Sequence, residues 1–212
     1  MTGLSASIAN MTDLVERARR LAVPGRRALL GITGAPGAGK STIAERLVAE
    51  LGDLARLVAM DGFHLAQAEL NRLGRAERKG APDTFDALGY TALLGRLRRA
   101  DESVVYAPLF DRSLEEPIAC AVPVPREVPL VVTEGNYLLV SAGDWAGVRP
   151  QLDECWFVDP GEQLRMEWLV ARHERYGRST EAARGRALGS DQRNAEVIAA
   201  TRDRADLVIR SA

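Results

Sequence analysis

The sequence predicts an α/β domain in three layers, a mainly parallel sheet with helices on both faces. One observation is local: residues 29–51 read as an apolar strand, a glycine-rich loop and a helix, in that order. The second is global. Short apolar runs alternate with stretches of helical periodicity through most of the chain, the pattern of a sheet covered by its own crossovers. The third is extent, since 212 residues without an internal repeat or low-complexity tract suit one domain, 1–212, with a sizeable core and a small helical lid.

Residues 11–21 put Met11, Leu14, Val15, Ala18 and Leu21 on one helical face, within a segment of about 8–22. Thr12 or Asp13 is the expected cap and Pro24-Gly25 the stop. The apolar run ending at Ile32 is the first strand. Behind the glycine-rich loop, Ile43, Leu47, Val48 and Leu51 recur at helical spacing until the turn at Gly52-Asp53. Residues 57–60 form a short buried strand that ends at Asp61-Gly62-Phe63-His64. Residues 66–73 read as a weak helix, and 74–83 (GRAERKGAPD) as an exposed, mobile loop. Residues 90–99 are helical, with Leu93, Leu94 and Leu97 inward. Residues 103–108 and 118–122 alternate like edge strands or a hairpin, with Asp111-Arg112 on the connection. The apolar runs 130–133 and 154–158 are strands closed by Glu134-Gly135 and Asp159-Pro160-Gly161. From Glu162 an amphipathic helix runs to about Tyr176 and stops at Gly177. Ser179-Thr180 restarts a helix with Glu181 in its first turn. Residues 194–201 are helical and 207–209 make a last short strand.

Gly34-Ala35-Pro36-Gly37-Ala38-Gly39-Lys40-Ser41, followed by Thr42, fits G-x-x-x-x-G-K-[ST] without a gap, between the strand and helix that give the motif its meaning. Glycines let the backbone turn its N–H groups inward, and those donors, with the helix N-terminus, cradle phosphate oxygens. Lys40 would reach the β- and γ-phosphates and the Ser41 hydroxyl would hold Mg²⁺. The sequence therefore points to a nucleoside triphosphate. Asp61 and Glu134 each end an apolar strand. Two acids beside a phosphate loop can divide the labour, one organising Mg²⁺ or its waters and one accepting a hydroxyl proton. Each also reads as an ordinary turn residue or polar strand end.

Arg165 and Arg172, seven residues apart, project from nearly the same helix face, and His173, Arg175 and Arg178 continue it toward Gly177. On one reading these belong to a lid, about 172–193, that closes guanidinium groups onto a transferring phosphoryl group. On the other they form a solvated face paired with Glu162, Glu167 and Glu174. The net charge of −1 offers no basic field to nucleic acid, so the arginines of 72–79 and 165–193 are assigned to phosphate contacts. Cys120 and Cys155 lack metal or disulfide spacing, and Cys155 reads as a core residue. Without an apolar signal core or a membrane-length apolar run, the expectation is a cytoplasmic protein with no membrane partner.

The order GAPGAGKST, MDGFH, RKGAPDTFD, YAPLFDRSLEEP, VVTEGNYLL, RHERYGRS resembles the uridine kinase/phosphoribulokinase/bacterial pantothenate kinase family over about 29–209. It is most similar to the nucleoside/nucleotide kinase-like branch, whose members are also labelled fructose transport system kinases. The resemblance implies a P-loop kinase fold that uses ATP and Mg²⁺ to phosphorylate a small-molecule hydroxyl on a nucleoside, a pantothenate-like compound or a sugar. In that resemblance Asp61 matches the base toward the acceptor. His64, Lys79 and Phe85 fall in acceptor-side segments, and Tyr106, Asp111 and Arg112 in the acceptor-binding hairpin. Glu134 matches the strand-end acid near Mg²⁺ and the acceptor, Arg172 and Arg178 match lid arginines, and Asn194 lies in a late loop that often borders the adenine. Gly62-Phe63-His64 is nearer the pantothenate kinase form than the aromatic-rich uridine kinase one. A regulatory ATPase without an acceptor is the alternative, and a homodimer is compatible with either.

Overall fold

The computed structural model describes residues 6–7, 10–177 and 179–210. Its central sheet comprises β1 (Ala6–Ser7), β2 (Ala28–Thr33), β3 (Ala55–Ala59), β6 (Leu130–Glu134), β7 (Glu154–Val158) and β8 (Leu207–Ile209) in the order β1-β8-β7-β2-β6-β3. Every pairing in it is parallel. A separate antiparallel hairpin is formed by β4 (Val104–Asp111) and β5 (Glu116–Pro125). Seven helices complete the described chain: α1 (Met11–Leu21), α2 (Lys40–Leu51), α3 (Gln67–Arg72), α4 (Ala87–Arg99), α5 (Glu162–Arg175), α6 (Thr180–Arg186) and α7 (Gln192–Ala199).

The period of two along β2 builds both faces of the core. Ala28, Leu30 and Ile32 pack with Leu14, Ala18, Ala44 and Leu47 of α1 and α2. Leu29 points the other way, toward Tyr90, Leu94 and Leu97 of α4. Gly31 is on that second face too, where an added Cβ would come within 2.7 Å of Leu152 and 2.9 Å of the Cys155 sulfur. Thr133, fully buried in β6, donates to the Val58 carbonyl and shares a 2.6 Å hydrogen bond with the Tyr90 hydroxyl. The β3, β2 and β7 strands thus deliver their C-terminal ends to one edge of the sheet, where open α/β folds place their ligands.

Four local expectations are corrected. The cap of α1 is Asn10, whose side chain accepts from the Asp13 N–H at 2.9 Å, so neither Thr12 nor Asp13 serves. Residues 74–83 are not a loose loop. They wind through two 3₁₀ turns tied by Arg75 and Arg78 to Asp83, and the Tyr137 hydroxyl donates to the Gly80 carbonyl at 2.6 Å. Asn194 lies inside α7, in keeping with the helical reading of 194–201 and against the loop position that the resemblance implied. The hairpin is longer than 103–108 and 118–122 suggested, so Asp111 closes β4 itself. No described helix is long and apolar enough to cross a membrane.

Candidate active site

The loop between β2 and α2 carries the strongest backbone constraints at the sheet edge. Gly37 and Gly39 have φ of +83° and +89°, where L side chains are strained, and a Cβ on Gly34 would sit 2.6 Å from the Val158 carbonyl oxygen. Lys40 opens α2 with only 8 % of its surface exposed, and its Nζ donates to the Ala35 carbonyl at 3.0 Å. The loop thus curls around its own ammonium group. Burial pulls the Lys40 pKa down to about 8 against the favourable field of Glu134, with Arg172 adding repulsion.

β3 and β6 pair with Ala59 opposite Glu134, so the acid that ends β6 and the turn 60–63 that follows β3 lie side by side. Glu134 is buried and accepts from the Ser41 hydroxyl at 3.2 Å. Burial, together with the neighbouring Asp61 charge, pushes its pKa up to about 7. Asp61 accepts from Arg112 Nη2 at 3.0 Å through Oδ2, while no described group bonds its Oδ1. The Asp61 carbonyl lies 2.8 Å from Nδ1 of His64, and a carbonyl can only accept. Nδ1 of His64 is therefore the donor in this contact, and in the neutral ring Nε2 is the acceptor. Burial holds its pKa below the ordinary value against the Asp61 charge and the backbone bond, which raise it, while Lys79 and Arg112 lower it further.

A cavity of about 510 Å³ opens on these groups. It brings together Pro36, Lys40, Ser41, Asp61, His64 and Lys79, and also Phe85, Arg112, Glu134, Arg172 and Asn194. Other predicted residues lie elsewhere. Tyr106 is 53 % exposed on the hairpin and does not line this cavity. Asp111 accepts from the Ser113 N–H and hydroxyl and the Leu114 N–H, folding the hairpin turn instead of pairing with Arg112. Arg165, 4 % exposed, is a brace: it bonds Glu162, the Pro36 carbonyl and Gln192, and it lines a second cavity of about 160 Å³ beside Ala35 and Ala38. Arg165 and Arg172 thus serve different cavities despite sharing a helix face. Thr42 follows Ser41 on α2, exposed and outside the 510 Å³ cavity. Arg178 lies outside the described residues. Sequence reasoning did not single out Phe110, Tyr176 or Asp191, and it held Arg186 only within the arginine cluster of 165–193; all four line the larger cavity. Arg186 and Asp191 come from α6 and the π turn after it, where nothing in spacing distinguishes a residue that faces the cavity from its neighbours.

Oxygen donors set beside a phosphate loop suit Mg²⁺, which is commonly held by one or two protein oxygens and the nucleotide's own phosphates. Ser41 and Glu134 fit that role. Among the described residues no cluster of three or more His, Cys, Asp or Glu side chains offers an all-protein metal site.

The sequence model of the phosphoribulokinase/uridine kinase family matches residues 29–212. The chain belongs to that family. Its members are kinases that move a phosphoryl group from a nucleotide to a hydroxyl. A solved Silicibacter sp. TM1040 protein described as a "putative fructose transport system kinase" superposes with a TM-score of 0.85 at 36 % identity, covering 94 % of this chain and 98 % of that one. An "ATP-dependent kinase-like protein" from Aspergillus versicolor is 34 % identical over 152 residues, 68 % of this chain and 88 % of its own. A pantothenate kinase from Shewanella loihica is 29 % identical over 160 residues, which are 70 % of this chain but only half of that protein.

Proposed function

We propose that this kinase transfers the γ-phosphoryl group of ATP, as its Mg²⁺ complex, to a hydroxyl of a small molecule bound between the β4–β5 hairpin, the 74–85 segment and Asp61. The observation that supports this most is the convergence of Asp61, Lys40, Ser41 and Glu134 on one cavity at the C-terminal edge of the parallel sheet. Oδ1 of Asp61 takes the acceptor's proton while Oδ2 stays held by Arg112. The acceptor oxygen then attacks the γ-phosphorus in line, the bond from that phosphorus to the bridging oxygen breaks, and ADP leaves. Lys40 and Arg172 meet the charge that spreads over the phosphoryl oxygens. Mg²⁺, held by Ser41 and Glu134, would neutralise the same charge. The base of the nucleotide is assigned to the smaller cavity, whose walls include Ala35, Phe157, Val158 and Pro160 with Gln192 at hand for hydrogen bonding. Asn194 would then act on the acceptor side, since its amide donates to the Gly80 carbonyl at 3.2 Å.

The test is an acceptor screen with labelled ATP, in which product carrying the label must accumulate faster than ADP forms without acceptor. Release of ADP and inorganic phosphate alone, at one rate whatever is added, would identify a regulatory ATPase instead.

A further inference from the structure

The end of the large cavity away from the phosphate loop holds cations that lack carboxylate partners. Lys79 donates to the Glu115 backbone carbonyl at 2.6 Å and to Gln67 Oε1 at 3.3 Å. Arg186 donates to the carbonyls of Glu77 and Lys79 at 3.1 and 2.7 Å. Neither makes an ion pair with a described residue. Glu116, which could have balanced Lys79, spends both oxygens on the Gln67 N–H. Four carboxylates line the cavity among the described residues: Asp61 is answered by Arg112, Glu134 accepts from Ser41, Asp191 meets His173 Nε2 at 2.7 Å, and Glu115 makes no ion pair with a described residue.

The aromatic rings at this end are also spoken for. His64 packs against Phe85 and Phe110 with centroids 4.0 and 4.8 Å away. Phe110 carries Lys79 at 5.2 Å and Arg112 at 5.8 Å, and Tyr176 carries Arg112 at 5.9 Å. A nucleobase needs an open ring face to stack on, and on Phe85 and Phe110 it would have to compete with His64, Lys79 and Arg112. The triphosphate must share the same 510 Å³, which leaves room for a compact acceptor.

Resting on the kinase reading above, we propose that the acceptor is a small hydroxyl-bearing anion rather than a nucleoside, with its hydroxyl at Asp61 and His64 and its carboxylate or phosphate at the Lys79–Arg112 end. A guanidinium offers several donors in a fixed fork, so Arg112 can keep Asp61 on one nitrogen and meet the ligand's anion with others.

The experiment uses the full chain with Mg²⁺ and saturating non-hydrolysable ATP analogue, so that the phosphate loop is filled and no turnover is needed. Glycerate, glycerol 3-phosphate, glycerol and uridine are titrated by calorimetry. At least one of the two anions should bind about tenfold more tightly than glycerol or uridine, and which one does so tells carboxylate from phosphate. Lys79→Gln keeps donors for Gln67 and the Glu115 carbonyl while removing the charge, and should weaken that anion by about tenfold. Lys79→Arg should retain the binding. Tighter uridine binding, no saturable anion binding, anion affinity untouched by Lys79→Gln, or loss of anion binding in Lys79→Arg would each overturn the proposal. The kinase reading fails separately, if no acceptor in the labelled-ATP screen gains the phosphoryl group.

Discussion

Lys40 and Asp61 are the two side chains on which the proposed chemistry turns, and each is held by a contact that the sequence could not show. With the Lys40 ammonium turned onto the Ala35 carbonyl, a triphosphate would find its cation already inside the loop. Lys40→Ala removes that charge where the transition state spreads its own. Phosphoryl transfer should fall at least about a hundredfold. Single-turnover assays check this, and near-normal turnover would remove Lys40 from the mechanism. Asp61→Asn keeps the shape and the bond to Arg112 but loses the basicity. General-base assistance is worth roughly 10²–10⁴-fold, so acceptor phosphorylation should drop by at least about a hundredfold while nucleotide affinity holds. A parental rate would make Asp61 a turn residue. The legibility of these residues follows from distance along the chain. The phosphate loop is contiguous, so its spacing alone identifies it. The partner of Asp61 is Arg112, 51 residues away, and its partner could not be read locally. Adjacent opposite charges at Asp111-Arg112 suggested a pair, but the first faces the hairpin turn and the second the cavity.

At the level of elements, the strands were legible because buried parallel strands must be apolar throughout, and 154–158 and 207–209 appear with those bounds. The hairpin ends were less so, since its exposed side places few demands on residue type. The hairpin reaches the site by packing its Pro108 backbone on the turn after β3, where Gly62 makes room. A Cβ there would stand 2.7 Å from the Pro108 carbonyl oxygen and 2.8 Å from its carbon, and backbone cannot swing aside as a side chain can. Gly62→Ala should therefore displace the hairpin, raise the acceptor KM severalfold and lower the melting temperature, with the ATP KM nearly unchanged. Steady-state kinetics with each substrate varied in turn decides it. Equal effects on both substrates would mean that the turn, rather than the hairpin, had moved.

Across the whole molecule, the segment expected to act as a lid meets the segment expected to be a loose loop. Arg186 of α6 donates to the carbonyls of Glu77 and Lys79, and Asn194 of α7 to that of Gly80. No residue pattern signals this contact, because the acceptors are backbone atoms that any residue supplies, and it closes over more than a hundred residues of chain. It also explains why 74–83 is ordered despite its composition: its carbonyls are held from outside, and within the segment Arg75 and Arg78 are held by Asp83. If lid and loop move as one body, Arg186→Ala should loosen both. Amide exchange should speed up by about threefold or more at 76–84 and at 180–191 together, with the strands β2, β6 and β7 unaffected. Such a lid acts mainly on the closed state, so the same variant should lower kcat more than it weakens resting nucleotide binding. Faster exchange in α6 alone would show that the loop stands on its Arg75, Arg78 and Tyr137 contacts without the lid. In that case closure over the acceptor would have to be carried by Arg172 and Tyr176 from the end of α5, where the cation–π contact of Arg112 with Tyr176 is the next bond to break.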